Sequence, residues 1–148
     1  MITIKLEGYE QVKEMLQDFP KATERNIIRR ALMKAGEPIL NDAKAHAPVL
    51  SGKLQASFAE GTKLSRWQRK LHRKVNEVEI FVGAGALVQA ITQEFGTINH
   101  PPHPFMRPAW DANSGRALTI FRNELTVEID KAAARAARKA ARIAAKMK

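Results

Sequence analysis

The 148-residue sequence contains no cysteine. That absence removes disulfide bridges, thiolate metal sites and cysteine nucleophiles from consideration, and it accords with assembly in a reducing cytoplasm. No stretch approaches the roughly 20 apolar residues of a membrane span. The first six residues lack the basic segment and apolar run of a signal peptide, so a soluble protein without membrane contact is expected. Ser51, Ser57 and Ser65 lie in no Gly-x-Ser-x-Gly elbow, and no glycine-rich loop leads into a Lys-Ser or Lys-Thr pair. Gly83-Ala84-Gly85 lacks the third glycine of a dinucleotide fingerprint and reads as the end of a strand.

One cluster resembles a metal or acid/base site: His100 and His103, with Glu94 and Asp111 nearby in the sequence. Two-histidine sites need both rings on one face of a fixed backbone. These stand three apart in a proline-rich run, so solvent-facing or interface histidines are the better reading. No metal, no cofactor and no enzymatic activity are expected, and a hydrolase built on the two histidines is the weakest alternative.

What is abundant is positive charge, a formal +10. Seven bases and no acid occupy residues 131–148, leaving 18 bases against 15 acids in the other 130 residues. The excess is mostly a tail, and such a tail attracts polyanions without dictating a fold. Lys131, Arg135, Arg138, Arg142 and Lys146 fall three or four apart and share one helix face, which could meet DNA or an acidic partner. The alternative is a solvated helix end that orders only on a partner. A second basic stretch, Thr62–Lys74, carries Trp67 and His72, no acid, and reads as a mobile loop or hairpin excursion. Trp67 could stack on a nucleobase but is better read as an interface or core residue.

Periodicity supplies the elements. Ile2, Ile4 and Leu6 alternate as a short strand, and Val12, Leu16 and Phe19 follow at helical spacing up to Pro20. A longer helix runs from about Lys21 to Ala45 on a stripe of Ile28, Ala31, Leu32, Ala35, Ile39 and Ala43, with a kink or break expected near Pro38. Pro48 and Gly52 bracket a turn. Strands are expected from Leu54–Glu60 and Val75–Val82, and a short helix over Leu87–Phe95 is capped by Gly96 in the left-handed region. Thr97–Pro108, with prolines at 101, 102, 104 and 108, should be extended, and the chain turns helical from Ala109. The expected class is α+β: long N-terminal helices on a small antiparallel sheet of three or four strands, then a C-terminal helix. One domain over 1–130 and a helical or disordered tail over 131–148 follow.

Three segments, in order, carry a resemblance. Ala35-Gly36-Glu37-Pro38-Ile39-Leu40, running on to Ala47-Pro48-Val49-Leu50-Ser51-Gly52-Lys53-Leu54, is similar to a helix followed by "APVDTGRL". Val82-Gly83 through Glu94-Phe95-Gly96-Thr97 is similar to "VG…EFGT", and Pro102-His103-Pro104-Phe105-Met106-Arg107-Pro108-Ala109 to "PARPFLRPA". Together the chain resembles the neck or tail-completion (head-tail joining) proteins of long-tailed bacteriophages and prophages, the HK-type lambdoid group. Leu50 stands where that family has Asp and Ser51 where it has Thr, and the Thr62–Lys74 stretch and the basic tail fall outside the match.

The resemblance implies a structural virion protein in the head-tail neck, assembled in the host cytoplasm as a homo-oligomeric ring, a hexamer first and a dodecamer second. Its implied partners are the head-side connector, the tail terminator or tail tube, and the packaged DNA in the channel. Pro48, Gly52, Gly96, Pro104 and Pro108 would set turns. Phe105, Arg107, Trp67 and Phe95 are the expected oligomer or partner contacts, Arg107 through bidentate bonding to a carboxylate or carbonyl. The rival from another class is a basic nucleic-acid-binding accessory protein, suggested by the tail and Trp67.

Overall fold

The computed structural model describes residues 9–49 and 51–147; the strand expected over residues 1–6 lies outside them. In chain order the elements are α1 (Tyr9–Gln17), α2 (Lys21–His46), α3 (Lys53–Ala56), β1 (Ala59–Gly61), α4 (Arg66–Leu71), β2 (Phe81–Gly83), α5 (Val88–Phe95) and α6 (Met106–Lys146). The class is α+β, and the frame is an antiparallel pair, α2 against α6. At one end Ile27 and Ala31 of α2 pack with Leu16 of α1 and with Leu125, Ile129 and Ala132 of α6. At the other, Ile39, Ala43 and Ala47 pack with Leu54, Phe105 and Ala109.

Small side chains make this pairing close. Ala31, Ala43 and Ala109 are fully buried, so the two backbones approach without bulky residues between them. Ala31, Ala35, Ile39 and Ala43 of the expected stripe are buried, joined by Ile27 and Gly36, while Ile28 and Leu32 are half-buried beside them. Pro38 does not divide α2, which runs unbroken through it. The proline forgoes only its own bond to the Lys34 carbonyl, and burial of Ile39 and Ala43 just beyond holds the next turns in place.

Among the described residues the sheet has two strands, not three or four: Ala59, Glu60 and Gly61 pair antiparallel with Gly83, Val82 and Phe81. The segment expected as a strand from Leu54 begins instead with the α3 turn, led by Gly52 at φ 70°. Val75 and Asn76 also stay outside the sheet, because both backbone N–H groups donate to the Glu79 carboxylate, at 2.8 and 3.1 Å. The basic stretch between the strands is a hairpin excursion carrying α4. Its cap is reciprocal: Ser65 Oγ accepts from Gln68 N–H, and Ser65 N–H donates to Gln68 Oε1 at 3.0 Å.

α6 begins at Met106, so the extended run is shorter than Thr97–Pro108, and Pro108 sits inside the first turn of a helix. It is tolerated there because a first-turn residue has no intrahelical acceptor for its N–H in any case. The helix then crosses residue 130 without interruption to Lys146.

Candidate functional site

The N-terminus of α6 has no capping side chain of its own. Its N-cap residue is Phe105, which offers no oxygen. The acceptor comes from α5: the Glu94 carboxylate takes the N–H of Phe105 at 2.8 Å, Met106 at 3.0 Å and Arg107 at 3.3 Å. Pro108 contributes no donor, so one carboxylate satisfies every free N–H of that turn. Arg107 closes the arrangement, its Nε donating to Glu94 Oε1 at 3.0 Å and its Nη2 to the Glu94 backbone carbonyl at 2.7 Å. Burial opposes the charge on Glu94, yet the N–H groups of Met106 and Phe105 and the Arg107 guanidinium together hold its carboxyl below the ordinary carboxylate value. The helix dipole favours the same charge.

The intervening loop is fixed at several points. Gly96 ends α5 at φ 77°, and a Cβ there would lie 2.9 Å from both the His100 carbonyl oxygen and the Pro102 nitrogen, so only glycine fits. Thr97 and His100 form an antiparallel bridge, and His103 N–H donates to the Gln93 carbonyl at 2.7 Å. Pro101, Pro102 and Pro104 keep the backbone between them extended.

The clasp therefore holds α5 rigidly, and α5 displays an apolar stripe outward. Its inner residue Ala90 and the N-cap residue Leu87 pack on the core. Val88, Ile91 and Phe95, at i, i+3 and i+7, face solvent, Phe95 being 67 % exposed, and Ile98 follows fully exposed. The Arg107 guanidinium lies 5.2 Å from the centroid of the Phe95 ring and orients it. Clustered exposed apolar side chains on a braced helix are the signature of a protein-docking surface.

The structure redistributes the expected contact residues. Phe105 is 1 % exposed, with its ring edge-on to Phe58 at 5.4 Å. It is a core residue rather than an interface residue, and its burial contributes roughly 2–3 kcal/mol. Arg107 finds its bidentate partner within its own chain, so its first task is bracing Glu94 and Phe95. Phe95 and Trp67 are exposed; Trp67 projects from α4 with Lys70 Nζ 5.0 Å from its ring centroid. Of the expected turn residues, Gly52 and Gly96 take positive φ, Pro48 and Pro104 lie in non-helical backbone, and Pro108 is helical. The His100 and His103 rings stand 5.4 Å apart, and among the described residues no three His, Asp or Glu side chains gather as metal ligands.

Of the basic row, Lys131 donates to Glu128 at 2.9 Å and Arg135 lies 3.8 Å from the same carboxylate. Glu128 is buried and also accepts from Arg30 of α2 at 3.1 Å. Arg138, Arg142 and Lys146 make no ion pair among the described residues.

Sequence patterns alone assign Glu94 no structural role. Its signal is indirect: a helix start at Phe105 without Ser, Thr, Asp or Asn requires an acceptor from elsewhere, and the nearest preceding acid is Glu94.

The sequence model of the bacteriophage HK97 gp10-like family, described as a tail component, matches residues 10–96. No curated protein and no solved structure matches the chain.

Proposed function

Since the chain belongs to the HK97 gp10-like family of bacteriophage tail components, we propose that it is a structural virion protein that joins the head connector to the tail as one subunit of a homo-oligomeric ring. The observation that carries this reading is the apolar stripe of Val88, Ile91 and Phe95 on α5, continued by Ile98 and braced from behind by Glu94 and Arg107. The clasp positions a surface rather than a reactive group. No helix among the described residues is long and apolar enough to cross a membrane, and the virion is the proposed location.

A single stripe on α5 suits a heterologous contact, in which one face of a subunit meets a different face of the next; such contacts close into a ring when the rotation permits. Six copies is the first expectation and twelve the second, with the connector on one side and the tail tube or its terminator on the other.

The test is complementation of a phage lacking the gene with Ile91→Asp and Phe95→Asp variants. Both side chains are exposed, so circular dichroism and thermal melting should match the wild type. Filled heads and separate tails should accumulate in electron micrographs of the lysate. Normal particle yields from both variants would overturn the reading.

A further inference from the structure

Beyond Ala132, α6 leaves the body of the protein. Ala132 is its last buried residue, and every residue from 133 to 147 is exposed. The helix nevertheless continues to Lys146, an overhang of about 21 Å at 1.5 Å per residue. Its charge is of one sign: no acid follows Asp130. Arg138, Arg142 and Lys146 fall on one arc with Lys139 at its edge, and none of these four meets an acid among the described residues.

The same end of the α2–α6 pair gathers the other basic segment. Arg30, in the first half of α2, reaches Glu128 of α6, while Arg25 reaches Glu77 of the hairpin excursion at 3.4 Å. Arg29 shares a cleft of about 460 Å³ with Lys63, Arg69 and Lys74. The two acids in that cleft are already engaged, Glu77 by Arg25 and Glu79 by His72 at 2.7 Å and by two backbone N–H groups. Positive charge from stretches more than 60 residues apart in sequence is thus concentrated at one end of the molecule.

We propose that this end, through the overhang of α6, binds the phosphate backbone of double-stranded DNA. The composition of the arc favours DNA over an acidic protein. Protein interfaces have an apolar centre depleted in charge, whereas the residues around this arc, from Arg138 to Lys146, are bases and alanines, with Ile143 the one large apolar side chain at its edge. The major groove, about 12 Å wide, admits a helix exposed on all sides. Contacts from Arg and Lys to phosphate oxygens carry no sequence information, so binding through them is expected to be independent of base sequence. DNA binding and head-tail joining are separable: the overhang and the α5 stripe share no residue, and either can fail alone.

The test uses the full chain and a fluorescein-labelled 20-base-pair duplex, with anisotropy followed at several sodium chloride concentrations. The triple variant Arg138→Ala, Arg142→Ala and Lys146→Ala should retain its helix by circular dichroism. Its slope of log affinity against log salt should be shallower than the wild type by about 2.7, at about 0.9 for each phosphate no longer neutralised. A variant with Arg138→Lys and Arg142→Lys beside native Lys146 should keep the wild-type slope. A second duplex of unrelated sequence should bind equally. An unchanged slope in the alanine variant would overturn the proposal, as would polyglutamate of equal charge displacing the duplex at equal concentration, which would assign the arc to an acidic protein.

Discussion

Glu94 and Arg107 hold each other by two different groups: the Arg107 Nε donates to the Glu94 carboxylate at 3.0 Å, and its Nη2 donates to the Glu94 backbone carbonyl at 2.7 Å. The pair ties the last turn of α5 to the first turn of α6. The same carboxylate caps α6, so one acidic side chain fixes both the start of the longest helix and the pose of the apolar stripe.

Removing that carboxylate should cost more than an ordinary surface ion pair. Glu94→Ala leaves three backbone N–H groups and the Arg107 Nε without their acceptor, and a loss of about 2–3 kcal/mol is expected. A thermal melt should read this as roughly 4–12 °C. Glu94→Gln should fall between Glu94→Ala and the wild type, because its one carbonyl oxygen can still accept from Phe105 and Met106 while its amide nitrogen turns a donor toward Arg107. Arg107→Lys, which keeps the charge but loses the fork, should lose only about 1 kcal/mol. Equal melting of Glu94→Ala and the wild type would rule out the capping role.

Acid should act through the same group. The folded value of the Glu94 carboxyl is held below the ordinary 4.5, as is that of Glu128, which Lys131 and Arg30 charge-pair against the cost of burial. The stability each contributes is fully present above about pH 4.5 and is lost as pH falls through the depressed folded values. Urea midpoints of the wild type should therefore drop on going from pH 6 to pH 3. Those of Glu94→Gln should drop less, since part of the proton linkage is gone. A pH profile for the variant parallel to that of the wild type would contradict this.

How much of the fold and the site is legible in the sequence depends on the range of the interaction. Gly96 can be placed at the end of α5 because a local pattern, a helix ending in Phe95-Gly96-Thr97, demands positive φ, and the structure has it at 77°. Ser65 and Gln68 are equally local, three residues apart, yet the surrounding bases suggest a loop and hide the capping box of α4. Pro108 misleads for the opposite reason: proline breaks a helix interior but fits its first turn, and only the cap donated from Glu94, 11 or more residues away, shows where that turn lies. Phe105 looks available to a neighbour because nothing local reveals that Phe58 waits across the core. The exclusion of Val75 and Asn76 from the sheet likewise depends on Glu79, which accepts both of their N–H groups.

Glu60 should respond to pH with the opposite sign. Its Oε2 is buried without a hydrogen-bond partner, and burial, then the nearby charge of Glu37, raise its carboxyl above the ordinary value. A raised folded value means that stability is greatest in acid and declines as pH rises through it. Glu60→Gln removes the charge while keeping the shape, and at pH 7 it should raise the melting temperature by a few degrees, on the order of 1 kcal/mol or less given partial exposure. The gain should vanish near pH 4, where the wild-type group is already neutral. A lower melting temperature for the variant at pH 7 would show that the charge is compensated.

The contact between helix and sheet beside Glu60 sets a last expectation. Gly36 of α2 faces β2, and a Cβ built on it would stand 2.9 Å from Val82 Cγ2 and 3.2 Å from Glu60 Oε2. Alanine is the better helix former by about 1 kcal/mol, but Val82 is branched at Cβ and has little freedom to turn aside. The clash should outweigh the propensity, so Gly36→Ala is expected to destabilise by about 1–2 kcal/mol. Val82→Ala opens the space that the added methyl needs. If shape is the constraint, the double variant is more stable than the sum of the two single losses predicts, and chemical denaturation of the four proteins in the cycle measures that difference. Strict additivity would mean that Gly36 is required for some reason other than the approach of Val82.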